Sequence, residues 1–487
     1  MDEMFKYYME MYNSMFENIS NYYKVSTKMF EKIAGAHNQQ SGFHTDIEKG
    51  FFPANGHEIY NYVARYGVSN LQIQAVLKLD GRLDFDKLNR AVRLSVDAEP
   101  IFKSRFIETD PPHWEPLENI GVVNFCSLQV VDDIDSAVQY FIESTVNLDK
   151  DPMLNVKLFR SEQYDVIALK VNHTCCDGAG VKEYIQLLAE IYCAIDKEDG
   201  AYIPAPRVGG RKDQDLLFKQ LGVTNMKSLF TPGMDLFQPL WPFPWEPCGS
   251  NITCMSKCKS PAGFIEELKE YGKAKGATVN DLILTACYRA MGNMKQPIYG
   301  VPMEIPLTVD LRRYLPDHKT KAIRNFSGSI GTKLELIINE PFNETLGRVV
   351  SMMKDIKNSY PGLQSAIGLE RIEKTSFHEI LSYYQAVMET KKIDSFCPLY
   401  CGDRCVPTLS NLGYISKALI KFGEITVDDS YMLPPIVRAP GLLLLASSYN
   451  SVLSLSAGFF KSTISRENVE RLLNKIMEEL IEGPKNI

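Results

Sequence analysis

Residues 196–250 constrain the architecture before any helix or strand is assigned. Pro204, Pro206, Gly209 and Gly210 are followed by the run Phe237-Gln-Pro-Leu-Trp-Pro-Phe-Pro-Trp-Glu-Pro247. Proline lacks the backbone donor and locks φ, so such a run suits neither a helix interior nor a central strand. The stretch reads as a long connection. Its aromatics are read as sealing the connection against the units it joins, with a ligand clamp as the alternative. The chain has 487 residues, more than one ordinary core holds, so two folded units are expected.

The first unit starts near Phe51. Alternation from Gln72 to Leu79 puts Ile73, Ala75, Leu77 and Leu79 on one side of a strand. Asp84 opens a helix with Leu88, Ala91, Val92 and Val96 inward, and Pro100 follows its end. Val166 to Val171 predicts another strand, and Val181, Tyr184, Ile185, Leu188 and Ile191 predict the helix after it. In the second unit Thr278 caps a helix carrying Val279, Leu282, Ile283 and Ala286. Val301 to Leu307 is expected to be extended. Leu442 to Ser456, broken at Tyr449-Asn450-Ser451, reads as a hairpin, and Ser465 caps a last helix. Helices and strands intermix in both halves, which makes each an α/β or α+β layered unit.

Residues 1–45 differ. Phe5, Tyr8, Tyr12, Met15, Ile19 and Tyr22 recur at helical steps, and the segment has no proline. An N-terminal amphipathic helix is expected there. Its aromatic stripe is read as packing on the protein's own body or a second copy, with partner or lipid docking as the sharper alternative. Acids and bases nearly balance in this segment, which disfavours an electrostatic membrane anchor. The net charge of −7 disfavours a nucleic-acid partner. No apolar run reaches the ~18 residues of a membrane span. The first residues lack the pattern of a secretory signal. Eleven cysteines in so long a chain form no dense disulfide framework. A cytoplasmic protein with free thiols is expected.

The densest chemistry lies in Val171-Asn-His-Thr-Cys-Cys-Asp-Gly-Ala-Gly180. The strand delivers His173 to a sheet rim, and Gly178 and Gly180 open a helix beside it. An imidazole so placed can take and return a proton near neutral pH. Asp177 either orients that ring, as in a triad, or caps the turn and pairs with a distant cation. By itself, His-x-x-x-Asp-Gly also arises by chance.

The segment "NHTCCDG" resembles the His-His-x-x-x-Asp-Gly signature of the chloramphenicol-acetyltransferase-like superfamily, which includes condensation domains and alcohol acetyltransferases. Five other segments resemble that family in order: Leu79–Phe106, Gly276–Met291, Ile305–Pro316 ("IPLTVDLRRYLP"), Arg324–Thr332 ("RNFSGSIGT") and Thr408–Ile415 ("TLSNLGYI"). The likeness runs from about Phe51 to the C-terminus. It implies two lobes in a V-shaped pseudo-dimer, here with an added N-terminal helix. The expected divisions are 1–45 for that extension, 46–196 for the N-terminal lobe, 197–250 for the linker and 251–487 for the C-terminal lobe.

The resemblance also implies an acyltransferase. His173 would be the general base that takes a proton from an alcohol or amine as it attacks an acyl thioester. The thioester would be an acyl-coenzyme A or an acyl group on a carrier protein's phosphopantetheine arm. The site would lie in a tunnel between the lobes. No metal or other cofactor would be required. Asp177 and Arg312 would form a structural pair, so Asp177→Ala should harm folding more than chemistry. Asn172 stands where the family usually has its first histidine. Gly178 is the main oxyanion candidate, through its backbone N–H, with Ser410 and Asn411 as weaker ones. "SNLG" favours an alcohol acceptor. The competing expectation is an inactive recruitment platform.

Other signals carry less. Cys175 and Cys176 are read as small side chains filling a tight turn, with a covalent Cys–His route as the alternative. Cys397, Cys401 and Cys405, like Cys254 and Cys258, are spaced more widely than the usual zinc pairs. Gly272-Lys-Ala-Lys-Gly-Ala-Thr278 is better explained by helix capping than by a phosphate loop. His113, beside Pro112 and Trp114, is expected on a surface loop, with a channel lining as the alternative.

Overall fold

The protein is described by a computed structural model covering residues 51–197, 202–207, 217–219, 221, 241–244, 252–296, 300–382, 404–439, 441–461 and 463–485. The expected N-terminal helix, most of the linker, Cys397 and Cys401 lie outside the described residues. Among those residues no helix is long and apolar enough to cross a membrane.

The first half runs β1 (Phe52–Pro53), α1 (Gly56–Val63), β2 (Gln72–Leu79), α2 (Phe85–Ala98), β3 (Ser104–Ile107), β4 (His113–Pro116), β5 (Cys126–Val130), α3 (Ile134–Glu143), β6 (Leu154–Arg160), β7 (Asp165–Asn172) and α4 (Gly178–Lys197). The second continues with β8 (Trp241–Pro242), β9 (Thr253–Lys259), α5 (Phe264–Ala274), α6 (Val279–Met294), β10 (Met303–Glu304), β11 (Leu307–Asp310), β12 (Ser327–Ile330), β13 (Lys333–Leu334), α7 (Phe342–Lys357), α8 (Leu363–Glu373), β14 (Arg404–Tyr414), β15 (Lys421–Phe422), β16 (Ile425–Leu433), β17 (Gly441–Tyr449), β18 (Val452–Phe460) and α9 (Arg466–Glu482).

Two larger sheets organise these elements. One has the order β15-β16-β2-β7-β6-β5, and the other follows β12-β11-β14-β17-β18-β9, with β8 on β14. Helices α2 and α4 cover one face of the first sheet, burying Leu88, Val92, Tyr184, Ile185, Leu188 and Ile191. Helix α3 covers the other face through Ile134, Val138 and Ile142. Helices α6 and α9 pack together in the second unit. The mixed α/β architecture expected from the pattern is present.

Local signals map closely onto these elements. Asp84 caps α2 through the Lys87 N–H, Ser465 caps α9 through the Asn468 N–H, and Thr278 forms a reciprocal capping box with Asp281. Gly276 takes a positive φ of 66° just before Thr278, so the glycine-lysine run there serves a helix start. The hairpin β17–β18 turns at Asn450 and Ser451, both at positive φ.

Three features differ from the sequence pattern. The expected extended run Val301–Leu307 is split into β10 and β11, with Pro306 between them, because proline supplies no ladder donor. His113 is not on a surface loop: it is buried on β4, its ring between Thr109 Oγ1 at 2.8 Å and Glu115 Oε1 at 3.1 Å. Its neighbour Trp114 fills the core and bonds Glu58, so pairing with β1 and β3 draws the segment inward. Finally, β16 comes late in the chain yet pairs antiparallel with β2, extending the first sheet. The chain then passes directly into β17 of the second sheet, so the two sheets share one continuous stretch of backbone.

Candidate functional site

The signature turn begins where β7 ends. β7 is central in its sheet, flanked by β2 and β6, and seven of its eight residues are buried. That rigid strand ends at Asn172, whose side-chain Oδ1 accepts the Thr174 N–H at 2.9 Å. The asparagine thus closes the turn through its own amide. The His173 backbone N–H donates to the Leu71 carbonyl at 2.7 Å, which fixes where the ring starts.

Asp177 starts α4. Its Oδ1 accepts the Gly180 N–H at 2.8 Å, and its Oδ2 accepts both the Phe326 N–H at 2.7 Å and Arg312 Nη1 at 3.0 Å. It caps and pairs, and it makes no hydrogen bond to His173. Of the two sequence-level alternatives, the geometry is that of the cap and cation pair. Arg312 is buried and also meets Glu183 at 2.9 Å, Asp310 at 3.2 Å and the Arg324 carbonyl at 2.9 Å. Burial would raise the Asp177 carboxyl. The Arg312 charge and hydrogen bond, with the Phe326 and Gly180 amides, outweigh that and hold it below the usual carboxylate range.

One segment braces the whole arrangement. The Arg324 carbonyl takes Arg312, Asn325 meets His173, the Phe326 N–H holds Asp177, and the Ser327 carbonyl takes His57. Asn325 Oδ1 lies 3.1 Å from His173 Nδ1, while Asn325 Nδ2 donates to the His173 carbonyl at 2.7 Å and the Thr174 carbonyl at 2.9 Å. The sequence reading singles out no residue of this segment beyond its family likeness. The signal available was the one asparagine in "RNFSGSIGT", but nothing local says what it faces.

His173 is half-buried, and its ring is closely surrounded. Burial lowers its pKa; backbone groups, Asp177 and Asn325 offset this only in part. The imidazole is therefore neutral at pH 7, which is the form a proton acceptor needs. The nearby His57, on α1, is sealed. It is 2% exposed, and burial with the Arg324 charge lowers its pKa to about 3.

Both thiols of the turn are fully buried, and burial with neighbouring Cys175 and Asp177 pushes the Cys176 thiol well up. A thiolate nucleophile is disfavoured on those grounds. A side chain on Gly180 would approach the Cys176 Cβ to 2.7 Å and the Arg324 carbonyl to 3.2 Å, so the turn has no spare room.

The other expected residues are distributed as follows. A side chain at Gly178 would meet Leu412 of β14 at 2.6 Å, so the second unit lies directly against the start of α4. Lys182 reinforces that contact by donating to the Leu412 carbonyl. Ser410 and Asn411 precede Leu412 on β14. Ser410 Oγ takes a hydrogen bond from Thr308 at 3.0 Å, and the Asn411 side chain is engaged by Asn280 and the Gly413 N–H. Among the described residues there is no cluster suited to a metal ion.

Comparison with known proteins agrees with this architecture. The family model for the condensation domain matches residues 67–208. No curated protein matches the chain. Among solved structures, trichothecene 15-O-acetyltransferase from Fusarium sporotrichioides superposes with a TM-score of 0.66 at 12% identity, covering 91% of this chain and 97% of that one. The first condensation domain of the calcium-dependent antibiotic synthetase, in complex with a substrate analogue, gives 0.61 at 17% identity, covering 89% and 96%. Polyketide synthase associated protein 5 from Mycobacterium tuberculosis gives 0.60 at 13% identity, covering 89% and 99%. At such identities the likeness speaks to fold. The chain shares the fold of these condensation-domain and acetyltransferase structures, and its residues 67–208 match the condensation-domain family model.

Proposed function

We propose that the protein is an acyltransferase that moves an acyl group from a thioester to an alcohol or amine, with His173 as the general base. The observation that carries this reading is a half-buried histidine, kept neutral by the burial of its ring, at the end of a buried strand and beside a helix start. In the proposed step the acceptor O–H or N–H gives its proton to His173 as the heteroatom bonds to the thioester carbon. The carbonyl electron pair moves onto oxygen, near the Gly178 amide. Collapse breaks the C–S bond, and the proton passes from His173 to the departing sulfur. The carbon is already activated, so positioning and one managed proton suffice.

The donor is proposed as acyl-coenzyme A or an acyl group on a carrier protein's phosphopantetheine arm. The domain divisions 46–196 and 251–487 are retained as a proposal, with 197–250 as linker and residues 1–45 as an assembly or docking element. Asp177 and Arg312 are proposed as structural supports. A cytoplasmic location is likewise proposed.

The reading is tested by free-thiol release from acyl-coenzyme A and from acyl-carrier protein, with panels of alcohols and amines. Wild type should turn over and His173→Ala should not. The second reading, a recruitment platform without catalysis, rests on Asn172 in place of the family's first histidine. Absence of turnover with every donor and acceptor class would favour it. Deleting residues 1–45 should change oligomeric state and leave turnover intact.

A further inference from the structure

We infer that Asn325 is a positioning residue that holds His173 in the tautomer with its proton on Nδ1, which leaves Nε2 as the atom that receives the proton from the acceptor. This deepens the transferase reading and rests on it for its consequence, but the tautomer itself can be observed without any turnover.

The argument starts with the amide of Asn325. Its Nδ2 lies 2.7 Å from the His173 carbonyl and 2.9 Å from the Thr174 carbonyl. Carbonyl oxygens only accept, so the group facing them must be the NH2, which supplies two donors. The reverse orientation would put three oxygens against one another in a buried place; Asn325 is 1% exposed. The oxygen of the amide is thereby assigned, and it is the atom 3.1 Å from His173 Nδ1. An amide oxygen can only accept. The ring nitrogen facing it must therefore carry the hydrogen, and a neutral imidazole has only one.

The other ring nitrogen fits this assignment. Among the described residues the side chain that meets the His173 ring is Asn325, at Nδ1, and no side chain bonds Nε2. The carbonyls of His173 and Cys176 also lie against the ring, so Asn325 acts beside them. The second unit of the fold supplies the residue that sets the tautomer, and the first supplies the ring, 152 positions apart in the sequence.

The test uses the full chain labelled with nitrogen-15 at histidine. Long-range couplings from the ring protons report which nitrogen is protonated, and His173→Gln identifies the His173 signals. At neutral pH wild type should show Nδ1 protonated and Nε2 bare; the opposite tautomer would overturn the inference. Asn325→Ala should populate the other tautomer and slow thiol release roughly fivefold to tenfold, with KM nearly unchanged. An Ala variant that keeps the wild-type tautomer and rate would show that the local backbone suffices, and would also overturn it. Asn325→Asp keeps the acceptor, so it should retain the Nδ1–H form, while its charge should move the acid limb of the rate profile upward. A switch to Nε2–H in that variant counts against the inference. Should wild type turn over no thioester, the transferase reading fails, and the role of Asn325 stands or falls on the wild-type ring signals.

Discussion

Two histidines flank the segment Arg324–Ser327, and they differ in everything that matters for chemistry. His57 meets the Ser327 carbonyl at 3.2 Å and lies 6.0 Å from the Phe326 ring, centroid to centroid; it is sealed. His173 meets Asn325 two residues earlier and is only half-buried as a residue. Both are neutral at pH 7, because burial disfavours the imidazolium in each. Only His173 keeps partial exposure. The contrast teaches that a suitable pKa is not enough; a base also needs a route to the proton it takes.

The largest test of this contrast is to remove each ring in turn. His173→Ala should cut the rate of thiol release by roughly 10²–10⁴, with a melting temperature close to wild type. His57→Phe should leave that rate within a few-fold. Equal losses from both substitutions would erase the distinction between a half-buried and a sealed histidine.

Next in size is the pair that fixes the turn. Arg312→Ala or Asp177→Ala removes one member of a buried pair and should cost about 3–5 kcal/mol of stability in denaturant melts. If either variant kept wild-type stability and lost only turnover, the pair would be chemical and not structural.

A pH experiment sharpens the comparison further. His57 has a folded pKa of about 3 against 6.5 for the free side chain. The unfolded chain therefore binds more protons below pH 6.5, and stability falls as the pH drops from there towards 3. Near pH 5 the loss from this one group is about 2 kcal/mol relative to neutral pH. His57→Phe should lack it, so urea midpoints of the two proteins should converge on acidification. For His173 the sign is the same, and the acid limb of kcat/KM should fall below the ordinary histidine value. An inflection above that value would contradict the burial that lowers it.

The smallest effects are expected from the thiols. Cys176→Ala should change turnover by less than about threefold, because the buried thiol stays protonated. Inactivation of native enzyme by a thiol-alkylating reagent, prevented by Cys176→Ala, would revive a covalent route.

Much of this molecule was legible locally. The alternation of Gln72–Leu79, the caps at Asp84, Thr278 and Ser465, and the Asn450-Ser451 turn rest on contacts within a few residues, which a linear pattern can carry. The strand β16 was not legible. Its second half is buried on both faces, so no alternation marks it, and its partner β2 lies more than 300 residues earlier. His113 misled for a related reason: prolines on its N-terminal side suggest a loop, while pairing with β1 and β3 buries it.

The amino-acid order alone determined that a histidine would end a strand beside a glycine-opened helix, because strand period, turn and cap are short-range properties. Only the folded chain decided which atoms surround that ring. The amide that meets it and the cation that ties down Asp177 come from residues far apart in sequence. Solvent exposure and pairing across lobes are consequences of packing, which no local pattern encodes.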